Sequence, residues 1–174
     1  MSLTGTVREL CVPLADYPHV QGNASLRDVF AKLHASCGRA ELFRSILVLD
    51  DSNRLLGMMG LKDLLHALMP DYLRRDTMHF QGATGDLSAL AILWQEDCAE
   101  QIRAAARICV RDHVVPIPAV IGPDEPMSKA VFLFATLPIR ILPVVEGKEM
   151  TGVLRLVDVL DQVVVEVLSE RSAP

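Results

Sequence analysis

The chain carries the same ordered set of sequence blocks twice. Val7-Arg8-Glu9 followed by Val12-Pro13 returns as Val110-Arg111-Asp112 followed by Val115-Pro116, 103 residues later. Leu26, Val29, Phe30 and Leu33 return as Met127, Ala130, Val131 and Phe134, 101 residues later. Gly57, Leu61, Asp63 and Leu65 return as Gly152, Leu156, Asp158 and Leu160, 95 residues later. A repeated unit of this size cannot bury its apolar face alone and packs against its copy. The doubling therefore predicts matched lobes sharing an interior, with clefts between them suited to a small ligand.

Each copy reads as strand, helix, strand, strand, helix. In the first, Ser25-Leu26-Arg27-Asp28 has the form of a capping box, and Leu26, Val29, Phe30 and Leu33 then recur at helical spacing. Ile46-Leu47-Val48-Leu49 is an apolar run of strand length, Asp51-Ser52-Asn53 a turn cluster, and Leu55 to Met59 a short strand centred on Gly57. Leu61, Leu64, Leu65 and Leu68 form a second helical stripe that Pro70 ends. The second copy follows suit. Pro126 stands in the first turn of its first helix, Ile141 to Val145 is the buried strand, and Glu146-Gly147-Lys148 is the turn. Leu156, Val159, Leu160, Val163, Val164 and Val167 form the last stripe. The falling offset places two extra first-copy residues between Pro13 and Val20 and six between Leu33 and Ile46, both in loops, where insertion costs little. Between the copies, Leu87, Leu90, Ala91, Trp94, Ile102 and Ala106 mark an inserted helix with an apolar stripe, whose Trp94 suits a packing anchor or a subunit contact.

Function classes narrow by exclusion. Seventeen basic against 22 acidic residues give a net charge of −5, without a nucleic-acid footprint. The nearest approach to a spanning segment, Ala130 to Val145, is broken by Pro138, Arg140 and Pro143, and Glu9 and Asp16 argue against a secretory leader. No nucleic-acid or membrane partner is expected, and cytoplasmic residence is the default. Cys11, Cys37, Cys98 and Cys109 lack metal-finger or redox spacing and read as buried free thiols. His19, His34, His66, His79 and His113 do not pair at metal-ligand spacing, and no Gly-x-Ser-x-Gly elbow occurs. Gly57-Met58-Met59-Gly60 is better read as a strand passing close to another backbone than as an RNA-clamping loop, which needs basic surroundings. An apolar content of 51% is high for a soluble chain and leaves surface for a second subunit.

The ordered blocks Ile46-Leu47-Val48-Leu49-Asp50 with Gly57-Met58-Met59-Gly60-Leu61-Lys62-Asp63, and Ile141-Leu142-Pro143-Val144-Val145 with Gly152-Val153-Leu154-Arg155-Leu156-Val157-Asp158, resemble the CBS domain. Two copies form the tandem pair called a Bateman module. The resemblance implies an α/β fold of two β-α-β-β-α repeats about a pseudo-two-fold axis, with a helical insert between them. The divisions are residues 1–70, 71–107 and 108–174. It further implies a non-catalytic regulatory module that senses a small ligand in clefts between the repeats. AMP, ADP, ATP or S-adenosylmethionine is the expected regulatory ligand, no cofactor is required, and the module is expected to be a homodimer signalling to a separate protein. A constitutive dimeric scaffold with degenerate ligand sites is the alternative.

The family holds ribose or phosphate with a Ser or Thr shortly before the Asp of the second helix, and with that Asp. Here Asp63 and Asp158 remain, whereas Gly60 and Arg155 stand at the Ser/Thr position. A carboxylate in a first helical turn is also favourable purely as structure. Lys62 and Arg155, cations near helix starts, are less easily explained that way. Arg140 precedes the central strand, where family members place a phosphate-contacting base, and its first-copy match is Ser45, with Arg44 one residue earlier. Two readings of Arg155 stay open: a surface salt bridge or, with Arg140, an anion site in the second cleft.

Overall fold

The computed structural model describes residues 5–36, 44–69, 95 and 98–169. Five helices are named in chain order: α1 (Leu26–Ser36), α2 (Leu61–Leu68), α3 (Cys98–Ala105), α4 (Met127–Thr136) and α5 (Leu156–Ser169). Six strands accompany them: β1 (Val12–Pro13), β2 (His19–Gln21), β3 (Ser45–Leu49), β4 (Leu55–Gly60), β5 (Ile141–Glu146) and β6 (Glu149–Arg155). They form two three-stranded sheets, β2-β3-β4 and β1-β6-β5.

Contacts divide the chain into two compact units, and neither is a contiguous stretch. One consists of Val20–Val48 and Leu56–Val115; the other of Met1–His19, Leu49–Leu55 and Pro116–Pro174. Each is called here after the repeat whose body it contains. In the first-repeat unit, Leu26, Val29 and Leu33 of α1 meet Ile46 and Val48 of β3 and Leu64 of α2, all buried. In the second-repeat unit the same positions recur: Met127, Ala130 and Phe134 of α4 meet Leu142 and Val144 of β5 and Val159 of α5. The apolar blocks that repeat in the sequence are thus the two cores.

Each body is completed by the other repeat's N-terminal segment. In the second-repeat unit, Val12 and Pro13 pair antiparallel with Val153 and Gly152 of β6. In the first-repeat unit, Val115 and Met58 exchange both backbone hydrogen bonds, at 2.9 and 3.0 Å. Val12 and Val115 are counterparts, as are Val153 and Met58, so this is one contact made twice. The segment leading to it repeats as well. The Val7 amide donates to the Glu125 carbonyl (3.0 Å) and the Val110 amide to the Ala24 carbonyl (2.9 Å). The Met127 amide donates to the Gly5 carbonyl and the Leu26 amide to the Ile108 carbonyl, each at 3.0 Å. Val7 and Val110 are fully buried, one in each core.

The close pairing explains a glycine that the repeat retains. A Cβ on Gly57 would lie 2.4 Å from the Val115 carbonyl oxygen, and one on Gly152 would lie 2.4 Å from that of Val12. The obstacle is backbone on both sides, which cannot swing away. The expectation of a strand passing close to another backbone holds.

Local expectations fare variously. Ser25 and Asp28 form the capping box: the Ser25 amide donates to Asp28 Oδ2 (3.0 Å) and the Asp28 amide to Ser25 Oγ (3.2 Å). The Ser25 hydroxyl, also donating to that carboxylate at 2.7 Å, is the main reason Asp28 titrates below the usual range. The Asp51-Ser52-Asn53 cluster is a turn closed by Asp50, whose carboxylate accepts from the amides of Ser52 and Arg54. Pro126 sits at the N-cap of α4, one position before the expected first turn. The first strand of the second repeat is reduced to a parallel bridge between Ile121 and Val144. Cys11, Cys98 and Cys109 are free but half-buried, not buried. The expected final stripes are also only partly core: Leu64, Leu68 and Val159 are buried, whereas Leu61, Leu65, Leu160, Val164 and Val167 are exposed. A helix on a three-stranded sheet covers it with one narrow stripe, so apolar residues beyond that stripe stay outside. Of the insert, α3 is described and packs on α2 with Ala105 buried; Trp94 and Cys37 lie outside the described residues.

Substituting Gly152→Ala places a methyl group against main chain and is expected to destabilise the protein by roughly 1–3 kcal/mol. Gly57→Ala is expected to act alike, while Gly147→Ala, in the open β5–β6 turn with nothing within 4 Å, gives no clash. Urea denaturation of the three variants checks this ordering, with the methyl group at Gly147 straining only its positive φ of 65°.

Candidate functional site

Both repeats end their sheet and begin their last helix in the same way. In the first, the Leu61 amide, at the start of α2, donates to the Arg44 carbonyl at 3.2 Å. In the second, the Leu156 amide, at the start of α5, donates to the Arg140 carbonyl at 2.9 Å. These equivalent bonds make Arg44, not Ser45, the counterpart of Arg140. The offset-based match was one residue out because one of the six extra residues lies in the β3–β4 turn rather than before β3. Arg44 and Arg140 both present exposed side chains beside a helix start, whereas Ser45 is buried, 8% exposed, at the first position of β3.

The two acids at these helix starts have different partners. Asp63, in the first turn of α2, accepts the Gly60 amide on Oδ2 at 2.8 Å. It thereby satisfies one donor that the helix start would otherwise leave open. No side chain pairs with it among the described residues, and Lys62 beside it is exposed. Asp158 instead receives a bidentate clamp from Arg155: Nε donates to Oδ2 at 2.6 Å and Nη2 to Oδ1 at 2.5 Å. The two side chains are 17% and 18% exposed. A forked, charge-assisted pair so shielded from water is stronger than an ordinary surface ion pair, and each such hydrogen bond contributes about 1.5–3 kcal/mol. The pairing answers the question left open at Arg155: its guanidinium is engaged within its own helix start, in a partly buried salt bridge rather than a surface one.

Beside Asp63 the first-repeat unit opens a cleft of about 310 Å³, lined by Asp63, His66, Asp112, His113, Val114 and Val115. Asp63 and His66 come from α2, one turn apart. The other four come from the exchanged N-terminal segment of the second repeat, held there by the Val115–Met58 pairing. The volume lies at the lower end for small-molecule sites. The carboxylates can accept hydroxyl or amine donors, the imidazoles can donate or accept, and the valines offer apolar wall. His66, Asp112 and His113 were not singled out as site residues. The legible signal was indirect: His66 lies three residues after Asp63 on a helix, and Asp112 and His113 fall within the repeated block around Val110 and Val115. Among the described residues no cluster of His, Cys, Asp or Glu suits a metal ion.

Asp63→Asn keeps an oxygen that can accept the Gly60 amide and is expected to leave stability nearly unchanged. Asp63→Ala, which removes the cap, is expected to cost about 1 kcal/mol. Urea midpoints of the two variants separate the capping role from any ligand role.

A family model described as the CBS domain matches residues 7–70 and 110–165. Among solved structures, a CBS domain-containing protein from Kribbella flavida superposes with a TM-score of 0.68 at 18% identity, over 91% of this chain and 97% of that one. CBSX2, a CBS-pair protein of Arabidopsis thaliana, crystallised in complex with AMP, gives 0.62 at 20% identity, over 94% and 98%. CbpB in complex with c-di-AMP gives 0.61 at 13% identity, over 98% and 91%. No curated protein matches. At these identities the likeness is one of fold.

Proposed function

Because the chain belongs to the CBS domain family, we propose that it is a non-catalytic regulatory module that binds an adenine nucleotide or related adenosyl compound and passes the binding state to a separate protein. The observation that carries this reading is the cleft beside Asp63. It lies at the helix start that carries the family's ligand-binding Asp, it is roomy enough for a small molecule, and parts of both repeats line it. All the lining residues belong to the first-repeat unit, so a ligand held there bridges α2 and the exchanged segment and favours whichever arrangement of those two it binds more tightly. Asp63 is suited to accept the ribose hydroxyls, the valines to lie against the base, and Arg44 and Lys62, exposed near the same helix start, to approach phosphate. The structures similar in fold that hold AMP and c-di-AMP support an adenine compound as the ligand class. In the second unit, Arg140 and Asp158 take the corresponding places. Among the described residues no helix is long and apolar enough to cross a membrane.

A thermal-shift panel of AMP, ADP, ATP, S-adenosylmethionine and NAD tests the reading. A ligand at 100 times its dissociation constant stabilises the native state by about 2.7 kcal/mol, so one compound is expected to raise Tm measurably, and Asp63→Asn to cancel the rise. Silence across the panel would favour a scaffold without working sites.

The same reading includes a homodimer. Val157, Leu160, Val164 and Leu168 follow one another along a single face of α5, and all are exposed, at 45–57%. A row of this kind suits association with a second copy. Sedimentation of Leu160→Asp is expected to show a shift toward monomer relative to the unaltered chain.

A further inference from the structure

Of the positions at which the duplicated sites differ, one bears directly on the helix-start acid. Gly60 ends β4 where Arg155 ends β6, and each stands three residues before the acid of its helix. Glycine leaves Asp63 bordering an open cleft. Arginine reaches over its own helix start and fills both carboxylate oxygens of Asp158. A bidentate guanidinium presents two N–H donors to the two oxygens of one carboxylate. A vicinal ribose diol presents two O–H donors to the same pair. The two therefore compete for one carboxylate edge with the same donor pattern, and Arg155, being tethered, holds it at high effective concentration.

We propose that Arg155 is an intramolecular surrogate ligand that keeps the second of two duplicated sites closed, so that each chain takes a single nucleotide, in the Asp63 cleft. The proposal rests on the reading of these helix starts as nucleotide sites. Duplication then yields unequal halves. The first-repeat unit keeps the sensing site, while the second-repeat unit keeps the fold of that site with its acid neutralised from within.

Isothermal titration of AMP into the full chain tests this by stoichiometry. The unaltered chain is expected to take one AMP, and Asp63→Asn to lose it. Arg155→Gly copies the residue that the first repeat already carries at this position and is expected to raise the count to two. Adding Asp158→Asn to that variant is expected to return it to one. Arg155→Ser, run in parallel, gives the same reading should the glycine variant fail to fold. One AMP bound by the unaltered chain and still one by both Arg155 variants would overturn the plug while leaving the sensor reading intact. Two bound by the unaltered chain would do the same. AMP taken up by no variant, Arg155→Gly and Arg155→Ser included, would overturn the plug, while the nucleotide reading stands or falls on the full thermal-shift panel.

Discussion

The structure depends on a backbone exchange. Residues Gly5 to Pro13 complete the body of the second repeat, and Ile108 to Val115 complete the body of the first, through the same hydrogen bonds at matching positions. Neither repeat is a closed fold by itself, because the edge strand beside its central glycine and one fully buried valine come from the other copy. Main-chain pairing of this closeness requires that nothing project from the receiving strand. Gly57 and Gly152 meet that requirement, and a side chain at either would strike a main-chain carbonyl at 2.4 Å as well as a neighbouring side chain.

The exchange also builds the site. The cleft beside Asp63 takes one wall from α2 and the other from residues nearly fifty positions further along the chain, delivered by the Val115–Met58 pairing. Core, strand pairing and cleft are one construction. The surface ion pairs from Arg8 to Asp124 and Glu146, which join the exchanged segment to the second body, are well exposed and contribute little beside the buried Val7 and the paired backbone.

The fold was legible because its signal is redundant. Two copies of each apolar block, two glycines and two helix-start acids occur in one order, and each copy vouches for the other. The capping box at Ser25 and the turn at Asp50 were legible because they need only neighbouring residues. The exchange was not, since a Val-Pro block says nothing about which repeat's edge it joins. The match of Arg140 to Ser45 failed by one residue for a similar reason: an offset counts insertions without saying which side of a strand holds them. The exposed faces of α2 and α5 were over-read as core because spacing shows that a helix has an apolar stripe, not how much of that stripe a narrow sheet can cover.

At the candidate site the division is sharper. From the amino-acid order alone came the duplication, the two retained acids, the replacement of hydroxyl residues by Gly60 and Arg155, and the family these features resemble. Those are properties of local chemistry and of repetition, and repetition is visible in one dimension. Which partner each acid takes was decided only in three dimensions. Asp63 caps a helix and faces a cleft with His66, Asp112 and His113, while Asp158 is clamped by Arg155. A carboxylate's neighbours are set by the direction of side chains and by segments that long-range backbone pairing brings beside it, and neither is written in the spacing of residues.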